Sequence, residues 1–356
     1  MYLSNLLLLG GALQAGISSA SYQNPIRNPG PDPSIVYADG MYYLTHTDYD
    51  FIGITRSRTL GGLATGEKKT IWTDSNTTRN ANMWAPEIHQ IDNVWHMFYS
   101  ACDSTLPCCD SCKTRVLQGC DASNPYDCEY SFLATLVPPP GAQGGNDKNF
   151  PFSIDGTYLE IPEKGRYHVL STADPSGLQA ITITELDTTT WTVKGWNVIS
   201  IPDQPWEMNT TNANPDPIVA VNEAPHPLYH GGEIWLSYSG SFCGTPNYAI
   251  GLLRYNGGDP LLGSSWEKTG PVFSQANGNY GTGHNCFFTS PDGTEIWNGF
   301  HATSNVNGSC GTDRYTMAQV VNFDRDNVPS FGVPYPLDAM LVSPSGEASN
   351  VTRRFR

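Results

Sequence analysis

Five stretches of this 356-residue chain read alike. They run "DPSIVYADGMYYLTHT" from Asp32, "WAPEIHQIDNVWHMFYSA" from Trp84, "DGTYLEIPEKGRYHVLSTA" from Asp155, "EAPHPLYHGGEIWLSYSG" from Glu223 and "HNCFFTSPDGTEIWNGFHA" from His284. Each opens on a polar or aromatic residue and passes through a short apolar run. It then turns at a Gly- or Asn-bearing pair such as Asp39-Gly40 or Gly231-Gly232 and returns as an aromatic-rich strand. That is a β-hairpin, written five times. Such a repeat outranks any single motif as a guide to fold, because each copy can bury its apolar face only against its neighbours. The starts lie 52, 71, 68 and 61 residues apart, room for about four strands per copy, the blade of a β-propeller. Runs such as "GITRSRTL" and "QAITITELD" supply further strands. The expected fold is therefore all-β: a five-bladed β-propeller forming a single catalytic domain over residues 21–356. Its ring is expected to close where the strand from Tyr315 meets the N-terminal segment. A composition of 35 Gly, 27 Pro, 11% aromatic and 15% charged residues suits short strands and tight turns better than helices.

The first strands of propeller blades surround a central channel, so residues at one repeat position converge from distant parts of the sequence. Counted back from each turn, Asp32, Trp84 or Ala85, Asp155, Glu223 and His284 match, while Glu87 falls outside that register. The axis should thus gather three carboxylates, a histidine and an indole. A strand has no structural use for such a set, and like charges brought together cost free energy. Two carboxyl groups flanking a glycosidic bond, one protonated and one ionised, are the minimum equipment for sugar hydrolysis. A third acidic group raises the pKa of the proton donor by like-charge repulsion. The Trp84 indole offers a flat face to the C–H surface of a sugar, and His284 can orient hydroxyls.

Each residue also has a simpler reading. Asp32 before Pro and Asp155 before Gly are common turn residues, Trp84 can be packing, and a lone His284 can be a hydrogen-bonded core residue. Glu223, before Ala-Pro, fits no cap or turn role. The shared register favours chemistry for the set. The alternative from another class is a non-catalytic carbohydrate-binding propeller, because the fold supports binding without chemistry.

The N-terminal "MYLSNLLLLGGALQAGISSA" reads as a secretory signal peptide, residues 1–20, cut after Ala20. It lacks Lys and Arg, and no other stretch is long and apolar enough to cross a bilayer. Six of nine cysteines lie within 102–128, read as an insertion stapled by disulfides in an oxidising compartment. Cys109 and Cys112 form a lone C-x-x-C, without the second pair a zinc site needs. An odd total leaves at least one thiol outside any internal bridge. Sequons at Asn76, Asn209, Asn307 and Asn350 fit a secreted glycoprotein. A formal net charge of −15 repels phosphate backbones and anionic lipid, so neither nucleic acid nor membrane is an expected partner. A neutral or cationic partner is favoured, and a secreted, extracellular monomer is the expectation.

The five hairpin starts resemble those of glycoside hydrolase family 43, the five-bladed propeller arabinofuranosidases, xylosidases and arabinanases. The matching motifs are "NPGPDPSIV" around Asp32, "WAPEIH" from Trp84, "SIDGTYLE" around Asp155, "VNEAPHPL" around Glu223 and "GTGHNCFF" around His284. They cover essentially the whole chain after residue 20. The resemblance implies an inverting mechanism with Asp32 as general base, Glu223 as general acid and Asp155 tuning the acid's pKa and orienting substrate. It further implies Arg314 as a sugar contact and no required cofactor. A calcium ion at the axis, held by His284 directly or through water, is also implied. The stretches "RSRTLGGLATGEKKTIW", "TPNYAIGLL" and "GSCGTDRYTMAQ" are most similar to exo-acting α-L-arabinofuranosidases, in which a disulfide matching Cys243 and Cys310 is implied. The implied substrate is plant cell-wall arabinan or arabinoxylan, with β-xylosidase and endo-arabinanase as alternatives in the same family. The chain departs from the family pattern at Ala224, where Gly is usual, at His226, where an acidic residue is frequent, and in the 102–128 segment.

Overall fold

The computed structural model describes residues 20–139, 152–208 and 220–347. Almost all of the expected signal peptide and the sequons at Asn209 and Asn350 lie outside the described residues; Asn76 and Asn307 are exposed.

Among the described residues five antiparallel sheets follow one another in chain order, each a meander. Blade 1 comprises Ser34–Ala38, Met41–Thr45, Ile52–Ser57 and Glu67–Trp72. Blade 2 comprises Ala81–Ile91, Val94–Cys102, Lys113–Gln118 and Ser131–Thr135. In blade 3, Ser153–Ile161, Gly165–Ala173 and Gln179–Asp187 are followed by an outer strand split into Thr192–Val193 and Asn197–Ser200. Blade 4 comprises Asn222–His230, Glu233–Gly240, Ala249–Tyr255 and Trp266–Phe273, and blade 5 Tyr280–Thr289, Ile296–Thr303, Arg314–Phe323 and Pro329–Ser330. The first strands pack against one another in cyclic order, blade 5 returning to blade 1. This is a five-bladed β-propeller.

The ring is closed by the N-terminal segment, which takes much of the fourth-strand position of blade 5. Ile26 N–H donates to the Thr316 carbonyl (2.9 Å), Thr316 N–H to the Arg27 carbonyl (2.8 Å) and Gly30 N–H to the Arg314 carbonyl (3.0 Å). Ser21–Tyr22 in turn pairs with Leu341–Val342.

Apolar residues of facing blades meet in five separate cores. Tyr43 and Ile54 pack with Trp95 and Met97 between blades 1 and 2, while Tyr42 and Leu44 pack with Trp297 between blades 1 and 5. Trp235 and Phe300 lie between blades 4 and 5. Tyr42, Tyr43, Trp95, Trp235, Trp297 and Phe300 all lie on second strands, the aromatic-rich returns of the hairpins. Truncating such a ring costs about 3–5 kcal/mol, so the cores lock each blade against its neighbours and fix the axial side chains.

The 102–128 segment is more than an insertion. "KTRVLQ" within it is the third strand of blade 2, because its apolar face completes the blade. The additions are two loops, one on either side, stapled by Cys102–Cys112 and Cys120–Cys128.

Candidate active site

The same left-handed backbone turn occurs in the first strand of blades 2 to 5 and just before the first strand of blade 1. Asp32 (φ 54°), Ala85 (44°), Asp155 (53°), Ala224 (53°) and His284 (46°) are all left-handed. In blades 2 to 5 the pairing register slips at that point, between Trp84 and Glu87, Ile154 and Thr157, Glu223 and His226, and Gly283 and Cys286. A bulge of this kind re-aims side chains, and a non-glycine residue in that conformation costs of order 1–3 kcal/mol, which surrounding contacts must offset. The register of the axial residues is therefore finer than the repeat alone predicts. Ala85 and Ala224 hold the left-handed position, and Trp84 and Glu223 stand one residue before it.

The offset comes from the neighbouring blade. Ala85 N–H donates to Thr47 Oγ1 (2.8 Å), Asp155 N–H to Ser100 Oγ (3.2 Å), His284 N–H to Ser239 Oγ (2.8 Å) and Asp32 N–H to His301 Nδ1 (3.2 Å). Each acceptor lies within two residues of the C-terminal end of the second strand of the preceding blade. Blade 4 is the exception: Ala224 N–H donates to Asp155 Oδ2 itself (3.2 Å). One catalytic candidate thereby holds the backbone beside another.

Asp32 is 8% exposed and surrounded by donors. Arg314 Nη1 donates to its Oδ1 (2.6 Å), and Thr47 Oγ1 donates to Oδ2 (2.7 Å). His301 Nδ1 and His284 Nδ1 approach Oδ1 at 3.1 and 3.3 Å. Burial opposes the charge, but Arg314 above all, and then His284, outweigh it and hold the carboxyl well below the usual carboxylate range. Burial first and Arg314 second push the His301 imidazole down to about 3. Assigned neutral, its Nδ1 accepts the Asp32 N–H and leaves the proton on Nε2.

Glu223 is pushed the other way. Packed protein around it raises the carboxyl to about 7, the Asp32 charge adding to the rise. Donors from Tyr248 Oη to Oε1 (2.8 Å) and from Gln179 Nε2 to Oε2 (2.7 Å) restrain the rise and fix the carboxyl plane. Asp155, 6% exposed, is raised well above its ordinary value by burial, then by Glu223, Asp32 and Glu87. Asp155 and Glu223 repel each other's charge, so together they retain a proton near neutrality. One carboxylate held charged and another held protonated beside it is the arrangement of a general base and a general acid.

Asp32, Trp84, Asp155, Glu223, His284 and Arg314 all line one cavity of about 440 Å³, shared with Tyr49, Phe152, Phe242 and the Cys243–Cys310 bridge. Glu87 is not among its lining residues; it is buried and pairs with His89 (2.9 Å). Sequence reasoning missed Thr47, Gln179, Tyr248 and His301. The polar residues ending the second strands in "THT" and "GFHA" were the visible signal for Thr47 and His301.

Asp32, His284 and His301 also present donor atoms within 4.8 Å of one another. That set does not fit direct calcium ligation, which takes six to eight oxygens; here two of three donors are nitrogens and the carboxylate already holds a guanidinium.

The sequence model of the family described as Glycosyl hydrolases family 43 matches residues 22–329. An extracellular exo-alpha-(1->5)-L-arabinofuranosidase of Streptomyces avermitilis is 32% identical over 329 residues, covering 89% of this chain and 64% of that protein. Alpha-L-arabinofuranosidase 43 of Humicola insolens is 31% identical over 354 residues, covering 93% of this chain and 68% of that protein. The chain thus spans about two thirds of the length of these relatives. Among solved structures, an alpha-L-arabinofuranosidase from Lactobacillus brevis superposes with a TM-score of 0.77 at 28% identity, covering 89% of this chain and 98% of that one.

Proposed function

The chain belongs to glycosyl hydrolases family 43, and from that premise we propose that it is a secreted glycoside hydrolase releasing terminal α-L-arabinofuranosyl units from arabinan or arabinoxylan with inversion. The observation that carries the reading is the opposed ionisation of Asp32 and Glu223 in one cavity. Glu223 gives its proton to the leaving oxygen as the glycosidic bond breaks. Asp32 takes a proton from a water that attacks the anomeric carbon from the opposite face. Solvent then resets both groups. Asp155 shares the proton of Glu223 and, through Ala224 N–H, fixes the strand that carries it. Trp84 and Phe242 give the sugar an apolar wall, and Arg314 reaches the cavity while it clamps Asp32. The names of the similar proteins support arabinose over xylose and exo over endo action; the name extracellular supports secretion.

A panel of aryl glycosides with branched and linear arabinan tests the substrate. Arabinose release from aryl α-L-arabinofuranoside and from arabinan chain ends is expected. Xylose release alone, or release of oligosaccharides from within linear arabinan, overturns the assignment.

The ionisation pattern predicts an asymmetric pH profile. In kcat/KM, Asp32 stays charged to well below pH 4, so the acid limb lies low, whereas activity falls as pH rises through about 7 and Glu223 loses its proton. The Tyr248 hydrogen bond favours the charged form of Glu223. Tyr248→Phe should therefore move the alkaline limb to higher pH while lowering kcat. A limb that stays put in this variant rules out Glu223 as the titrating acid.

A further inference from the structure

The loop joining Val94–Cys102 to Lys113–Gln118 brings two adjacent cysteines to the mouth of the same cavity. Cys108 and Cys109 are exposed, their sulfurs stand 2.7 Å apart, and Cys109 lines the cavity. Two unbonded sulfurs do not pack so closely. The other cysteines are accounted for: six are bridged and Cys286 is buried. As a thiol Cys109 would be a poor nucleophile, because burial and then Cys108 push it up to about 12.

We propose that Cys108 and Cys109 are joined to each other as a disulfide, and that this pair of sulfurs is an apolar wall of the cavity against which the C–H face of a sugar ring packs. The ligand class rests on the hydrolase reading. Closing the bridge removes two electrons and two protons from the two thiols. A disulfide oxidant, protein or small molecule, accepts them and leaves as two thiols. The wall has a counterpart in the same cavity, where Cys243–Cys310 lies beside Phe242. A thioether-like surface is polarizable and donates no hydrogen bond, so it accepts a ring face without fixing hydroxyl orientation.

The sulfurs of Cys102, Cys108 and Cys112 lie within 4.8 Å of one another, so the test must separate pairings. Thiols of the unreduced, denatured protein are alkylated, and the chain is then cleaved before its aspartates. Cleavage at Asp103 and Asp110 isolates residues 103–109, which hold Cys108 and Cys109 alone. The proposal expects this peptide unalkylated, linked to nothing, and two hydrogens lighter than the dithiol. An alkylated peptide, or one linked to the fragment containing Cys102 or Cys112, overturns it. This measurement needs neither a variant nor activity. For the wall, replacing both residues by Ser should raise KM for an aryl α-L-arabinofuranoside about fivefold, more than it lowers kcat, from lost apolar contact. An unchanged KM in a folded variant overturns the sugar-packing role. Should the wild type turn over no arabinoside, the hydrolase reading falls separately. Calorimetric binding of arabino-oligosaccharide to wild type and variant then decides the wall, equal affinity overturning it.

Discussion

Glu223→Gln should lower kcat on arabinan about 10²–10⁴-fold, the range for loss of a positioned general acid. The departing group there is a sugar alkoxide, too basic to leave unprotonated. With a dinitrophenyl α-L-arabinofuranoside the leaving group needs little protonation, and the loss should be far smaller. The glutamine keeps the shape of the site: its amide oxygen can accept from Tyr248, and Gln179 can turn its own amide to match. Sugar binding should therefore persist. The alkaline limb near pH 7 should disappear from the variant's profile, because the titrating group is gone. Steady-state kinetics on both substrates check all three outcomes, and an equal loss on both would mean that Glu223 does not donate the proton.

Asp32→Asn should behave differently. With no base to activate water, kcat should fall about 10³-fold or more whatever the leaving group, with KM little changed because the side chain keeps its volume. It should also destabilise the fold. Arg314 is 5% exposed, and its guanidinium spans the Asp32 carboxylate and the Cys310 and Gly311 carbonyls. Removing one partner of a buried ion pair costs about 3–5 kcal/mol, so the melting temperature should drop by several degrees. Glu223→Gln, whose charge the protein opposes, should not show that drop. Thermal unfolding of the two variants side by side reads the contrast.

Much of this was legible in the chain. The five-fold hairpin repeat gave the fold because each copy carries its own turn pair and apolar run, and the five opening residues marked the axis. The bulge that aims them was not legible. Its left-handed position is filled by Asp32 and Asp155 in two blades but by plain alanines, Ala85 and Ala224, in two others, and nothing in a single alanine advertises positive φ. Hence Glu223 entered the register one residue early and still reached the cavity. Tyr248 and Gln179 escaped because they sit at or just before third strands, outside the repeated hairpins; only the packed blades bring them to Glu223. The Cys243–Cys310 bridge, implied by the family resemblance, is present.

Inversion requires Asp32 and Glu223 to work from opposite faces of one glycosidic bond with water between. Proton NMR of the first sugar released from an aryl α-L-arabinofuranoside, recorded before mutarotation, reads this directly. β-L-Arabinofuranose appearing first is the predicted result. α-L-Arabinofuranose first would mean a covalent intermediate, and would contradict the role of Asp32 as a base.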